Sequence, residues 1–194
     1  MALSGWQWFS AILLLSCLVS FAWGMQKFFV QPQGRTPGMK VISACGVLFA
    51  ALHFVAIFLP NSIPPERGMV AALLYLWSLG LFWWAIQTNS TARLSAAFSD
   101  DLPAHLVEDG PYRFIRHPFY SSYVLAWSAG TVATARWWLL LTVAVMVAIY
   151  WKAASIEEEK FSRSTLAEEY QRYRERTAWL LPNPMKLLLA RRSQ

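Results

Sequence analysis

Residues 117–160, HPFYSSYVLAWSAGTVATARWWLLLTVAVMVAIYWKAASIEEEK, decide the fold. With His counted as neutral, no charge falls between His117 and Ala135, and none between Trp137 and Trp151. Arg136 alone separates the two runs. Crossing the hydrocarbon core takes about 20 apolar residues. The first run is long enough, and the second becomes so if Lys152 snorkels and Ala153, Ala154 and Ile156 extend the helix. So short a link makes the two spans a helical hairpin. Pro118 suits a first helical turn, where its missing N–H is no loss. From Pro118 to Arg136 is 18 residues, and 18 more reach Ala154, both legs rising about 1.5 Å per residue. The hairpin therefore returns Glu157, Glu158 and Glu159 to the level of Arg116 and His117.

The same charge-free pattern extends toward the N-terminus, over Met1–Gln26, Val41–Pro65 and Gly68–Ala92. Of 194 residues 56% are hydrophobic and 14% charged, against about a quarter charged in a soluble domain, so the class is membrane. Spans are predicted over 4–24, 41–59, 69–87, 118–135 and 137–156. The expected fold is an all-α integral membrane helical bundle with about five transmembrane helices. Residues 1–194 read as a single membrane domain, with three N-terminal spans in 1–92. A long polar loop, the hairpin and a C-terminal cytosolic interfacial helix occupy 93–194. The first span lacks the basic flank and A-x-A site of a signal peptide and is expected to stay. Cys17 and Cys45 fall inside spans and read as small buried residues.

The net charge of +6 is unevenly placed. Threading five spans puts Lys27, Arg35, Lys40, Arg93, Arg113, Arg116 and every basic residue after Arg136 on one side, and only Arg67 and Arg136 on the other. Fifteen against two places the N-terminus outside and the C-terminus and the 88–116 loop in the cytosol. The basic tail then faces anionic headgroups, which accounts for the charge without nucleic acid. The 25–40 link, with Pro32, Gly34, Pro37 and Gly38, reads as a turn-rich connection. Residues 160–176 alternate charge with Phe161, Leu166, Tyr170 and Tyr173, an apolar stripe on an interfacial helix.

Chemistry concentrates in Gly110-Pro111-Tyr112-Arg113-Phe114-Ile115-Arg116-His117-Pro118-Phe119-Tyr120. Two arginines, a histidine and two tyrosines crowd the turn where a helix enters the membrane. A helix N-terminus offers unpaired N–H groups and partial positive charge. Opposite stand three carboxylates at a helix C-terminus, where the macrodipole disfavours them. Such a rim fits an amino acid-like zwitterion, carboxylate at the helix start and ammonium at the glutamates. Mutual pairing of Arg116 with the glutamates explains the same residues.

The run HLVEDGPYRFIRHPFY (105–120), followed by EEEKF (157–161) and EEYQRY (168–173), resembles the isoprenylcysteine carboxyl methyltransferase and phospholipid N-methyltransferase superfamily. The resemblance covers 105–176 in both motif content and spacing, and no motif matches in the first three spans. It implies an enzyme that uses S-adenosyl-L-methionine, bound at the cytosolic rim and partly enclosed by the C-terminal helix. By position, Leu106, Val107, Tyr112, His117, Pro118, Tyr120, Glu158 and Glu159 become the expected cofactor contacts, with Tyr170 and Tyr173 as a lid pair. The chain departs from the family at Leu166-Ala167, where Phe-Gly is usual, and at Thr177-Ala178, where a proline usually follows. Ala154 stands where prenylcysteine enzymes carry a substrate-linked arginine.

Methyl transfer from a sulfonium is an in-line displacement that needs positioning rather than a protein nucleophile. Arg116 and His117 are the candidate catalytic residues. Arg113 or Arg116 would steer an acidic acceptor, and His117 would cap its helix, contact the cofactor or, for a protonated amine, act as general base. Arg113, Phe119 and Trp127 are the candidate substrate contacts for a lipid-like or prenylated acceptor entering from the bilayer. The primary expectation is carboxyl O-methylation of the isoprenylcysteine type; N- or S-methylation and an NADPH-dependent membrane reductase are the alternatives. No Cys/His cluster has metal-ligand spacing, so no metal is expected. His53 reads as a packing residue, and Trp83, Trp84, Trp137, Trp138 and Trp151 as interfacial aromatics.

Overall fold

The structure, a computed structural model, describes residues 4–27, 29–30, 36–59, 62–89, 94–95, 102–103 and 105–183. Five long helices and one short one make up almost all of it: α1 Gly5–Lys27, α2 Pro37–Phe58, α3 Pro65–Thr88, α4 Pro118–Thr134, α5 Leu139–Ser162 and α6 Ala167–Arg176. Phe29–Val30 and Leu94–Ser95 form a two-residue parallel pairing between the α1–α2 and α3–α4 connections. The all-α membrane bundle is the observed architecture. Of the predicted links, 31–35 and 96–101 lie outside the described residues.

Three helices begin on proline, at Pro37, Pro65 and Pro118, the position where a fixed φ and a missing N–H are tolerated. Thr36 caps α2, its hydroxyl accepting from Met39 N at 3.5 Å. Helices α2 and α3 thus start before the charge-free runs do, carrying Lys40, Glu66 and Arg67 in or near their first turns. Charge marks where a helix leaves hydrocarbon; proline and caps mark where the helix begins. At the other end, α5 continues through the glutamates to Ser162 instead of stopping near residue 156.

Helices α1, α2, α3 and α5 are each long and apolar enough to cross a membrane. Their outer faces expose Val19, Val47, Val55, Leu73, Trp77 and Leu141, as expected for surfaces solvated by lipid. Helix α4 differs. With 17 residues it rises about 26 Å, and it packs on α1, α2, α3 and α5 at once. Ser122, Ala126, Ala129, Gly130 and Ala133 are buried along it, small residues that let neighbouring backbones approach. Ser78 Oγ donates to the Ser122 carbonyl at 2.7 Å. An ideal Cβ on Gly130 would lie 2.3 Å from His53 Nδ1 and 3.1 Å from the Tyr75 hydroxyl.

His53 is fully buried and meets Thr142 Oγ1 at 2.8 Å through Nε2. The Thr142 hydroxyl donates to Leu139 O at 2.7 Å, so the imidazole is the donor to Thr142. Cys17 and Cys45 are free thiols.

Candidate functional site

Where α4 starts and α5 ends, the hairpin closes a charged rim. The approach to it is fixed from three sides. Gly110 opens the 3-10 turn Gly110–Arg113 with φ +56°, and a side chain there would meet Thr88 Oγ1 at 2.2 Å. Buried Tyr112 receives a hydrogen bond from Asn89 Nδ2 at 2.9 Å, and its carbonyl accepts from the Tyr173 hydroxyl at 2.8 Å. Arg116 N and His117 N then donate to the carbonyls of Ala178 and Trp179, at 2.8 and 3.3 Å. The segment after α6 therefore lies as a strap beside the start of α4, and Ser121 Oγ ties Leu180 O to it at 2.6 Å.

The side chains meet as the hairpin geometry anticipates. Arg116 Nε donates to Glu158 Oε1 at 2.9 Å, and its Nη1 reaches the carbonyls of Thr177 and Arg174 at 2.7 and 3.2 Å. His117 lies between two carboxylates, Nε2 3.1 Å from Glu158 Oε1 and Nδ1 3.3 Å from Glu157 Oε2. Burial opposes a charge on this ring, yet the hydrogen bonds to Glu157 and Glu158 outweigh it and hold the pKa above the usual 6.5. The protonated ring donates from both nitrogens. Tyr120 OH donates to Glu157 Oε1 at 2.7 Å, and Arg174 Nε stands 3.6 Å from Glu158 Oε2.

Successive helical residues are turned by about 100°, and this separates the three glutamates. Glu157 and Glu158 face α4. Glu159, expected as a cofactor contact, is turned out of the cluster and pairs with Arg163 one turn on. Glu157, which the motif did not select, faces the cluster beside Glu158 and meets His117 and Tyr120. The predicted stripe over 160–176 is likewise two pieces: Phe161 lies in the last turn of α5, a turn at Arg163–Leu166 follows, and α6 folds back so that Tyr170 stacks on Phe161 at 4.5 Å.

Below the rim is an aromatic wall. Leu106 and Val107 pack against Phe82, Tyr112, Phe119, Tyr170 and Tyr173, which brings four of the sequence-selected residues (Leu106, Val107, Tyr112 and Phe119) plus the lid pair into one region. Pro118 is the first residue of α4. Tyr120 stacks on Tyr150 at 5.3 Å, and Tyr150 accepts from Trp127 Nε1 at 3.2 Å. Trp127 sits about 10 Å deeper into the bundle than Tyr120, packed with Ala50, Met146 and Tyr150. Arg113 is exposed on the outer side of the 3-10 turn. Asn89 Oδ1, Glu108 Oε1 and the Tyr123 hydroxyl are buried without a hydrogen-bond partner. Asn89 and Arg174 carry no local motif, and only the docking of α3 and α6 reveals them.

A helical membrane bundle with an acidic, histidine-bridged rim beside an aromatic wall is the class that fold and site define. The chain belongs to the phospholipid methyltransferase family, whose model matches residues 67–169, and it is an integral membrane methyltransferase of that superfamily. The match takes in α3, where the sequence reading found no motif. No curated protein matches the chain.

Proposed function

We propose that this protein transfers a methyl group from S-adenosyl-L-methionine to a lipid-like acceptor at the rim. The observation that carries the reading is the Glu157–Glu158 pair, held by Arg116, His117 and Tyr120 beside an aromatic wall. These residues fit a cationic, ring-bearing donor. Carboxylates suit its positive centres and aromatic faces suit its ring. The buried acceptors Asn89 Oδ1 and Glu108 Oε1, which lack protein partners, suit its hydrogen-bond donors. When bound, S-adenosyl-L-methionine supplies an electrophilic methyl group that needs no protein nucleophile. The protein's part is to orient, through Glu157, Glu158 and Tyr120, and to exclude water, through Tyr170, Tyr173 and the strap.

The acceptor follows from charge. A carboxyl acceptor needs a free cation within the rim, but Arg116 is committed to Glu158 and two carbonyls, Ala154 supplies none, and Arg113 stands on the outer side of the 3-10 turn. Glu157 with Tyr120, Tyr123 and Tyr150 favours a cationic amine head instead, with exposed Arg113 available to an anionic group beside it. His117, clasped between Glu157 and Glu158 with its pKa raised, is a positioning residue rather than a ready base. This favours amine N-methylation on a lipid over the carboxyl O-methylation first expected. The charge asymmetry of fifteen basic residues against two supports a cytosolic rim and C-terminus.

The test uses purified protein in lipid nanodiscs with methyl-labelled donor and three acceptors: an aminophospholipid, a prenylcysteine analogue and a short-chain thiol. Label in the aminophospholipid is expected. Label in the prenylcysteine alone restores the carboxyl reading, and label only in acceptors without an apolar chain removes lateral entry. Calorimetry with S-adenosylmethionine and NADPH separates transferase from reductase: binding of NADPH alone overturns the methyl-donor assignment.

A further inference from the structure

The end of the bundle away from the rim carries a second charged concavity. α3 begins there and α4 ends there. Ala56, Ile57 and Ile63 wall a cleft with Ala133, and Arg67 and Arg136 line it together. These are the only two of the chain's 17 basic residues that the threading assigns to this face, and they converge on one cleft. Both are half-buried. Among the described residues neither guanidinium has an ion pair or a hydrogen bond. Glu66, the nearest acid in sequence, is exposed and pairs with neither.

The placement runs against local electrostatics. Arg67 lies in the first turn of α3, whose N-terminus already carries partial positive charge, and a second cation shares the cleft. Arg136 follows Ala135, the one described non-glycine residue with positive φ, at 50°. Left-handed backbone disfavours a side chain, so the turn that delivers Arg136 to the cleft is held at some cost. Two guanidiniums offer planar donor forks that match phosphate oxygens. The first-turn N–H groups of Glu66 and Arg67 precede the first intrahelical bond of α3, which Gly68 N makes to Pro64 O, and they add unpaired donors of the same sign. At the rim, charges placed against a helix dipole have protein partners; here none is present among the described residues.

We infer that this cleft is a second binding site, for a phosphate group, at the face opposite the methyl-transfer rim. Two half-buried cations converging on one cleft favour an anion between them, and Ala56, Ile57, Ile63 and Ala133 supply apolar walls around it. The site is independent of the acceptor reading, because no residue is shared with the rim. A phosphate can arrive as a lipid headgroup or as a free anion, and the chemistry of the cleft accommodates both.

Native mass spectrometry of the full chain in detergent tests it, titrated with phosphatidylglycerol and separately with inorganic phosphate. Wild type is expected to hold one adduct that Arg67→Gln/Arg136→Gln weakens roughly tenfold or more, since charge-assisted contacts are lost. Glu66→Gln should leave the adduct unchanged. A lipid adduct that inorganic phosphate cannot displace marks a headgroup site, and saturation by inorganic phosphate marks a free-anion site; both uphold the proposal. Equal binding by wild type and the double variant, or binding by neither, overturns it. Should the glutamine pair fail to fold, Arg67→Lys/Arg136→Lys decides, because lysine keeps the charge but not the fork: weaker phosphate binding supports the site, and unchanged affinity for both probes overturns it.

Discussion

The two ends of the bundle solve the same electrostatic problem differently. At the rim, charges sit against the dipole of α5 and are paired: Glu157 and Glu158 are held by Arg116, His117, Tyr120 and Arg174. At the far end Arg67 sits against the dipole of α3 with no such company among the described residues. Between them the interior is largely apolar, and three of its polar groups, His53, Thr142 and Tyr75, gather where Gly130 lets α4 approach α2. The comparison separates two meanings of a misplaced charge. A paired one organises protein; an unpaired, half-buried one points to a ligand.

The sharpest way to break the comparison is Glu158→Gln. Arg116 and Glu158 have side chains only 9% and 15% exposed, and removing one member of a buried pair costs about 3–5 kcal/mol. The lower end is expected here, with donor binding lost; thermal unfolding in detergent and calorimetry read both. The pH profile adds a check on cause. The His117 pKa is raised above 6.5 in the folded state, so the stability it contributes is full below 6.5 and fades as pH rises through the raised value. Glu158→Gln should lessen that slope, with Glu157 still in place, and an unchanged slope would mean the histidine is not coupled to Glu158.

A smaller effect is expected in the interior. Gly130→Ala places a methyl 2.3 Å from His53 Nδ1, and His53 cannot retreat without breaking its bond to Thr142. Overpacking costs about 1–3 kcal/mol, more than the roughly 0.5–1 kcal/mol that alanine gains in a helix. A melting temperature at or above wild type would show that α2 and α4 are not in close contact there. The smallest effect belongs to Glu159→Gln. Its pairing with Arg163 is exposed, so stability should change by less than about 0.5 kcal/mol and donor affinity should hold. A large loss of affinity would return Glu159 to the site, as the motif first suggested.

Periodicity and charge alone were sufficient for the spans, the hairpin and the convergence of Arg116 and His117 with the glutamates, because 1.5 Å of rise per residue turns sequence distance into depth. The motif carried Tyr112, Tyr120 and Glu158 to the rim. Sequence could not decide which glutamates face inward, since that depends on the rotation of α5 against α4, nor that α5 runs on to Ser162 and breaks before α6. Packing sets Trp127 against Tyr150 and Met146, partners that no local pattern names. Asn89, Arg174 and the pairing of Arg67 with Arg136 in one cleft were invisible, because each joins elements far apart in the chain. Local sequence determined which residues enter the membrane and at what depth. Helix rotation and docking, governed by small-residue contacts along α4 that no local pattern specifies, decided which of them meet.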